Sequence, residues 1–155
     1  MILDTSAVIA ILRFETEASE FAKIIERAAQ RRISAVSYVE AGAVIDGSKD
    51  PVASRRFDEL IEAAQIAIEP VTEAQARIAR QAYRDFGKTS GHPAKLNFGD
   101  CFSYALAKTK GEPLLFKGQG FSRTDVKSAR IYPIRRLFLP RTSAGSTPVR
   151  AGIPG

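Results

Sequence analysis

Apolar residues along the first 130 positions follow two alternating rhythms. Short apolar runs bounded by polar or turn residues, at Ile2-Leu3, Ile33-Ser34-Ala35-Val36-Ser37, Ile66-Ala67-Ile68 and Pro113-Leu114-Leu115-Phe116, predict four buried strands. Helical spacing fills the gaps between them. Phe21, Ile24, Ile25 and Ala28 fall at i, i+3, i+4 and i+7, with Glu15, Glu17 and Glu20 before them and Arg27, Arg31 and Arg32 behind, as a helix dipole favours. A helix is predicted from Tyr38 to about Asp46, closed by Gly47. Asp50-Pro51 caps another, with Val52, Phe57, Leu60, Ile61 and Ala64 on its apolar side. Thr72 with Gln75 opens a helix running through Ile78, Ala79, Ala82, Tyr83 and Phe86 to Gly87. Lys88 to Leu96 reads as a surface loop, and Asn97 caps a last helix from Phe98 to Lys110, stopped by Gly111. Strands alternating with helices predict an α/β sandwich with a mainly parallel central sheet.

The rhythm ends near residue 130. From Tyr132 on, Pro133, Pro140, Pro148 and Pro154 stand among Gly, Ser, Thr and Arg without a sustained period. The expected organisation is one domain over residues 1–130 and a poorly ordered basic tail over 131–155. The stretch after Asp125 accounts for the net charge of +6. Lys127, Arg130, Arg135, Arg136, Arg141 and Arg150 follow Asp125 with no acidic residue among them, so the 17 acidic side chains of residues 1–125 meet an equal number of basic ones. A balanced body does not by itself announce a nucleic-acid binder. The single cysteine, Cys101, excludes an internal disulfide and a multi-cysteine zinc site, which makes the cytoplasm the expected compartment. The apolar run Ala7 to Leu12 has Asp4 where an export signal needs positive charge, and no run approaches the roughly 18 apolar residues of a membrane span.

Four carboxylates stand near the predicted strand ends. Asp4 follows strand one, Glu40 lies just past strand two, Asp100 sits in the first turn of the last helix, and Asp125 comes shortly after the last strand. In a parallel sheet these ends converge on one edge, where ligands bind. Carboxylates brought together repel unless a cation sits among them, and oxygen ligands suit Mg²⁺ or Mn²⁺. A cation so held supports phosphodiester hydrolysis. Each acid also fits a purely structural role: Ser37-x-x-Glu40 and Asn97-x-x-Asp100 have capping-box spacing, Asp4 can start a turn, and Asp125 can lie on the surface. The other chemistry-bearing residues point elsewhere less well. Gly118-Gln119-Gly120 has Arg123 where a dinucleotide-binding turn needs its third glycine, and Ser6 replaces the second acid of an aspartate phosphatase. His92 lies in the polar loop, and Cys101, Tyr38, Tyr83 and Tyr104 read as core or rim.

The opening Ile2-Leu3-Asp4-Thr5-Ser6-Ala7, the segment Ser34 to Glu40, the run Leu96-Asn97-Phe98-Gly99-Asp100-Cys101, and Leu114-Leu115-Phe116-Lys117-Gly118 followed by Phe121 and Thr124-Asp125 resemble the VapC-type toxins of the PIN-domain ribonucleases. The resemblance covers about residues 1–128 in order. It implies a Mg²⁺- or Mn²⁺-dependent endoribonuclease acting on RNA, a PIN-like fold, inhibition by a VapB-like antitoxin, and a homodimer. By position, Asp4, Glu40 and Asp100 would be the acidic metal-site residues, Ser6 or Thr5 the nearby hydroxyl, and Asp125 a fourth carboxylate. The sequence departs from the family at Gln119-Gly120, where related chains usually carry an acid. The departure opens an alternative, a weakened PIN module that binds antitoxin or RNA without efficient cleavage.

Overall fold

The computed structural model describes residues 1–130; the tail expected over 131–155 lies outside the described residues. The elements run β1 (Ile2–Leu3), α1 (Thr5–Leu12), α2 (Ala18–Arg27), β2 (Arg31–Ser34), α3 (Ala35–Asp46), α4 (Pro51–Ala63), β3 (Ile66–Glu69), α5 (Glu73–Phe86), α6 (Phe98–Lys110) and β4 (Leu114–Leu115), then a 3₁₀ turn at Phe121–Arg123. All pairings among the four strands are parallel, in the order β3-β2-β1-β4.

The period of two in a strand explains the two cores. Ile2 pairs with Leu114 and Leu3 with Leu115. Ile2 and Leu114 face Ala79, Ala82, Leu106 and Phe116 on the α5 and α6 side, while Leu3 and Leu115 face Ala7, Val8, Phe21 and Ile45 on the α1 to α4 side. The sheet is thus covered on both faces, as a parallel sheet requires. Successive connections put β2 on one side of β1 and β4 on the other, so the crevice beyond the C-terminal ends of β1 and β4 is the switch point of the fold.

The capping signals act as their chemistry predicts. Asp50 accepts from the Val52 N–H with Pro51 in the first turn, Thr72 accepts from the Gln75 N–H, and Gly111 ends α6 in the left-handed region at φ 65°. The second strand differs from the sequence expectation at both ends, running Arg31–Ser34 in place of residues 33–37. The second strand stops at Ser34, whose hydroxyl accepts from the Val36 N–H and starts α3 three residues before Tyr38. Glu40 therefore lies in the second turn of α3, and the capping box expected between Ser37 and Glu40 does not form. Val52, expected on the apolar side of its helix, is exposed.

Candidate active site

Asp4 sits where β1 hands the chain to α1. Its N–H donates to the Leu115 carbonyl, continuing the β1–β4 ladder, and its side chain caps α1: Oδ2 accepts from the Ser6 N–H at 2.9 Å and from Ser6 Oγ at 2.6 Å. The Ser6 hydroxyl in turn accepts from the Lys117 N–H at 3.0 Å, fastening the turn after β4 to the turn after β1. Asp4 is only 1% exposed, yet its Oδ1 has no hydrogen-bond partner. An unpaired buried carboxylate oxygen costs about 1–3 kcal/mol or more, so it calls for a positive group.

Asp100 reaches the same place from α6. Asn97 and Asp100 form a reciprocal capping box, each side chain accepting from the other's N–H at 2.7 Å. This is both the structural role expected from the spacing and the device that fixes the carboxylate. Burial first, and then the negative charge of Asp4, push Asp100 up to about 6; Glu40 adds to the rise, while the Asn97 N–H and Lys88 oppose it. Glu40 arrives from α3, with Oε2 accepting from Thr5 Oγ1 at 2.7 Å. Asp100 thus feels the charge of both Asp4 and Glu40. Among the described residues no three acidic, histidine or cysteine side chains are grouped so as to hold a metal ion as they stand. The orphaned Asp4 oxygen and the mutual repulsion centred on Asp100 fit a hard divalent cation drawn in among the three.

Asp125 is placed differently. Its Oδ1 accepts from the Tyr104 hydroxyl at 2.8 Å and its Oδ2 from Lys108 Nζ at 2.7 Å, one and two turns beyond Asp100 along α6. The lysine holds its carboxyl below the ordinary value. Both of its oxygens are engaged, and it is largely exposed. Gln119 is exposed and carries no charge, so the turn after β4 brings no carboxylate from that position. Cys101 is buried and pushed up to about 12 by burial and the adjacent Asp100, a packing residue and not a nucleophile. His92 Nδ1 accepts from the Ala94 N–H and the ring packs edge-on against Phe86, which ties it into the loop.

The PIN-domain family profile matches residues 1–127. The chain belongs to the PIN-domain family. Its similarity to Ribonuclease VapC28 of Mycobacterium tuberculosis is 60% identity over 129 residues, covering 83% of this chain and 97% of that one. Among solved structures, this PIN domain superposes on the M. tuberculosis VapC20 toxin, described as cleaving the sarcin-ricin loop, with a TM-score of 0.63 at 16% identity, over 81% of this chain and 95% of that one. A toxin-antitoxin complex from Klebsiella pneumoniae gives a TM-score of 0.59 at 18% identity, covering 78% of this chain and 89% of that one. The expected kinship with VapC-type PIN ribonucleases and the α/β fold with its parallel sheet are borne out.

Three features of the PIN site were not legible in the sequence. Thr5 and Ser6 divide the work, Thr5 holding Glu40 and Ser6 holding Asp4. The Lys117 backbone closes the site floor through Ser6. Ser37 and Ser103 share a wholly buried hydrogen bond of 2.9 Å between α3 and α6. Ser37 lies three residues before Glu40 and Ser103 three after Asp100, and only their placement on facing helices reveals the pairing.

Proposed function

We propose that this PIN domain is the toxin of a toxin–antitoxin pair, an endoribonuclease that hydrolyses RNA phosphodiester bonds with Mg²⁺ or Mn²⁺ in the cytoplasm. Asp4, Glu40 and Asp100 would hold the cation, and the buried Asp4 oxygen without a donor carries the reading. When bound, such a cation polarises a phosphodiester and acidifies adjacent water. The chain's own contribution is arrangement. Ser6 orients Asp4, Thr5 orients Glu40, and the Asn97 N–H orients Asp100, so three carboxylates from three elements arrive with their directions already fixed. The raised Asp100 means that the cation competes with a proton there. Asp125, engaged by Tyr104 and Lys108, has no part in this proposed cation site.

The partners follow from the same reading. The family kinship supports a VapB-like antitoxin as the inhibitor. A homodimer is supported by the exposed apolar Phe98 on α6, which with Ala76, Tyr83 and Phe102 lines an apolar groove of about 230 Å³, and by the exposed Val39 on α3. Among the described residues no helix is long and apolar enough to cross a membrane. The test is cleavage of a mixed tRNA, rRNA and mRNA pool by the purified, antitoxin-free chain with Mg²⁺, with Mn²⁺ and with EDTA. Cutting that needs the metal supports the enzyme. A folded chain that binds RNA or antitoxin and cuts under no condition would favour the weakened binding module, the reading that the uncharged Gln119 motivates.

A further inference from the structure

Gly99 lies buried in the first turn of α6, immediately before Asp100, and its φ is not in the left-handed region. Its backbone therefore does not require glycine, and a helical position ordinarily favours alanine. Space explains the residue. A side-chain carbon built on Gly99 would lie 2.6 Å from Glu40 Cδ and 2.7 Å from Oε1, and closer still to Oε2. The Glu40 carboxylate occupies the volume that the missing side chain would take. From another direction Thr5 Oγ1 donates to the same Oε2, while the Ser37–Ser103 bond ties α3 to α6 beside the contact.

We infer that Gly99 is a positioning residue: by lacking a side chain it lets Glu40 close over the first turn of α6 and share a divalent cation with Asp100. The inference rests on the reading of Glu40 and Asp100 as metal-site residues. The clash from alanine would fall on the far end of a flexible side chain, so Gly99→Ala should keep the fold while Glu40 swings off Thr5. Aspartate at position 40 is one methylene shorter and would clear the added methyl group.

The experiment takes the whole chain as wild type, Gly99→Ala, Glu40→Asp and the double variant. It follows Mn²⁺ binding by calorimetry, thermal unfolding in EDTA and RNA cleavage, with a crystal structure of Gly99→Ala. The expected result is Mn²⁺ affinity lowered at least about tenfold by Gly99→Ala, the scale seen when groups that orient metal ligands are lost. The EDTA midpoint should stay near that of wild type, and the double variant should bind no worse than Glu40→Asp alone. Two single effects that simply multiply would overturn the inference, as would unchanged Mn²⁺ affinity in Gly99→Ala or a Gly99→Ala structure with the Thr5–Glu40 bond intact. Absence of Mn²⁺ binding by wild type would overturn it together with the metal site. Wild type that binds Mn²⁺ with the expected variant pattern but cuts no RNA would remove the nuclease reading and leave this inference standing.

Discussion

A carboxylate buried without a partner is held by the rest of the fold at a cost, and Asp4 and Asp100 share that cost unequally. Asp4 gives one oxygen to Ser6 and leaves the other bare, while Asp100 is raised to about 6 by burial and then by Asp4. The sign of the consequence follows from linkage. The folded pKa of Asp100 exceeds its ordinary value of 3.8, so the folded state binds that proton more tightly than the unfolded chain does. The contribution is fully present below the unfolded pKa and is lost as pH rises through the folded one. In EDTA, Asp100→Asn, whose amide oxygen still accepts from the Asn97 N–H, should therefore raise the unfolding temperature at about pH 8 and change it little at about pH 4. Saturating Mn²⁺ should reverse the order at the higher pH, because only the wild type gains binding free energy. A variant no more stable than wild type at the higher pH in EDTA would show that the three carboxylates do not strain one another.

Between elements, the site depends on how α3 and α6 meet. Ser37 and Ser103 are both fully buried, so Ser103→Ala leaves one hydroxyl without its partner at about 1–3 kcal/mol, whereas the Ser37→Ala/Ser103→Ala pair should recover most of that loss. Urea unfolding of the two singles and the double checks it; additive losses would mean that the hydrogen bond is not what joins the helices. At the start of α6, Asn97→Ala removes a side-chain cap worth about 1 kcal/mol but keeps the backbone N–H that orients Asp100, so stability should fall while metal affinity is largely kept, with Asn97→Ser restoring most of the stability. Mn²⁺ affinity lost along with stability in Asn97→Ala would contradict the orienting role of the backbone N–H. The same elements explain what could be read without coordinates. Asp50-Pro51, Thr72, Asn97 and Gly111 act within their own turns, so the bounds of α4, α5 and α6 were legible. Ser34 to Ser37 fits either a strand or a helix start, and the Ser34 cap decides for the helix, which moves Glu40 deeper into it. Asp4 and Asp100 were legible as site candidates because strand order gathers them at one edge, but the engagement of Asp125 by Tyr104 and Lys108 depends on contacts between distant parts of the chain.

Across the whole molecule, two groups of carboxylates are treated differently: one is paired with cations and the other is not. Arg32 of β2 bridges Glu69, the last residue of β3, and Glu112 before β4, with the Met1 amino group on Glu112 and Lys110 on Glu69. Arg32 holds Glu69 below its ordinary range, and although burial pushes Glu112 upward, the amino group and Arg32 bring it below as well. These pairs contribute stability above the carboxylates' unfolded pKa and lose it as pH falls through the folded values. Arg32→Ala should cost about 1–3 kcal/mol near neutral pH and less in acid, measurable as a smaller gap between variant and wild-type unfolding midpoints as pH is lowered. Among the described residues Asp4, Glu40 and Asp100 form no ion pair, Lys88 acting on Asp100 only without contact, and that asymmetry is the whole-molecule signature of the proposed metal site. Its most direct test sets RNA cleavage by Asp4→Asn beside Asp125→Asn, both in Mn²⁺ and both checked for folding. Abolished cutting in Asp4→Asn with cutting retained in Asp125→Asn is the predicted result. Cleavage that survives Asp4→Asn, or that is lost only in Asp125→Asn, would contradict the assignment of the catalytic centre to the Asp4, Glu40 and Asp100 edge.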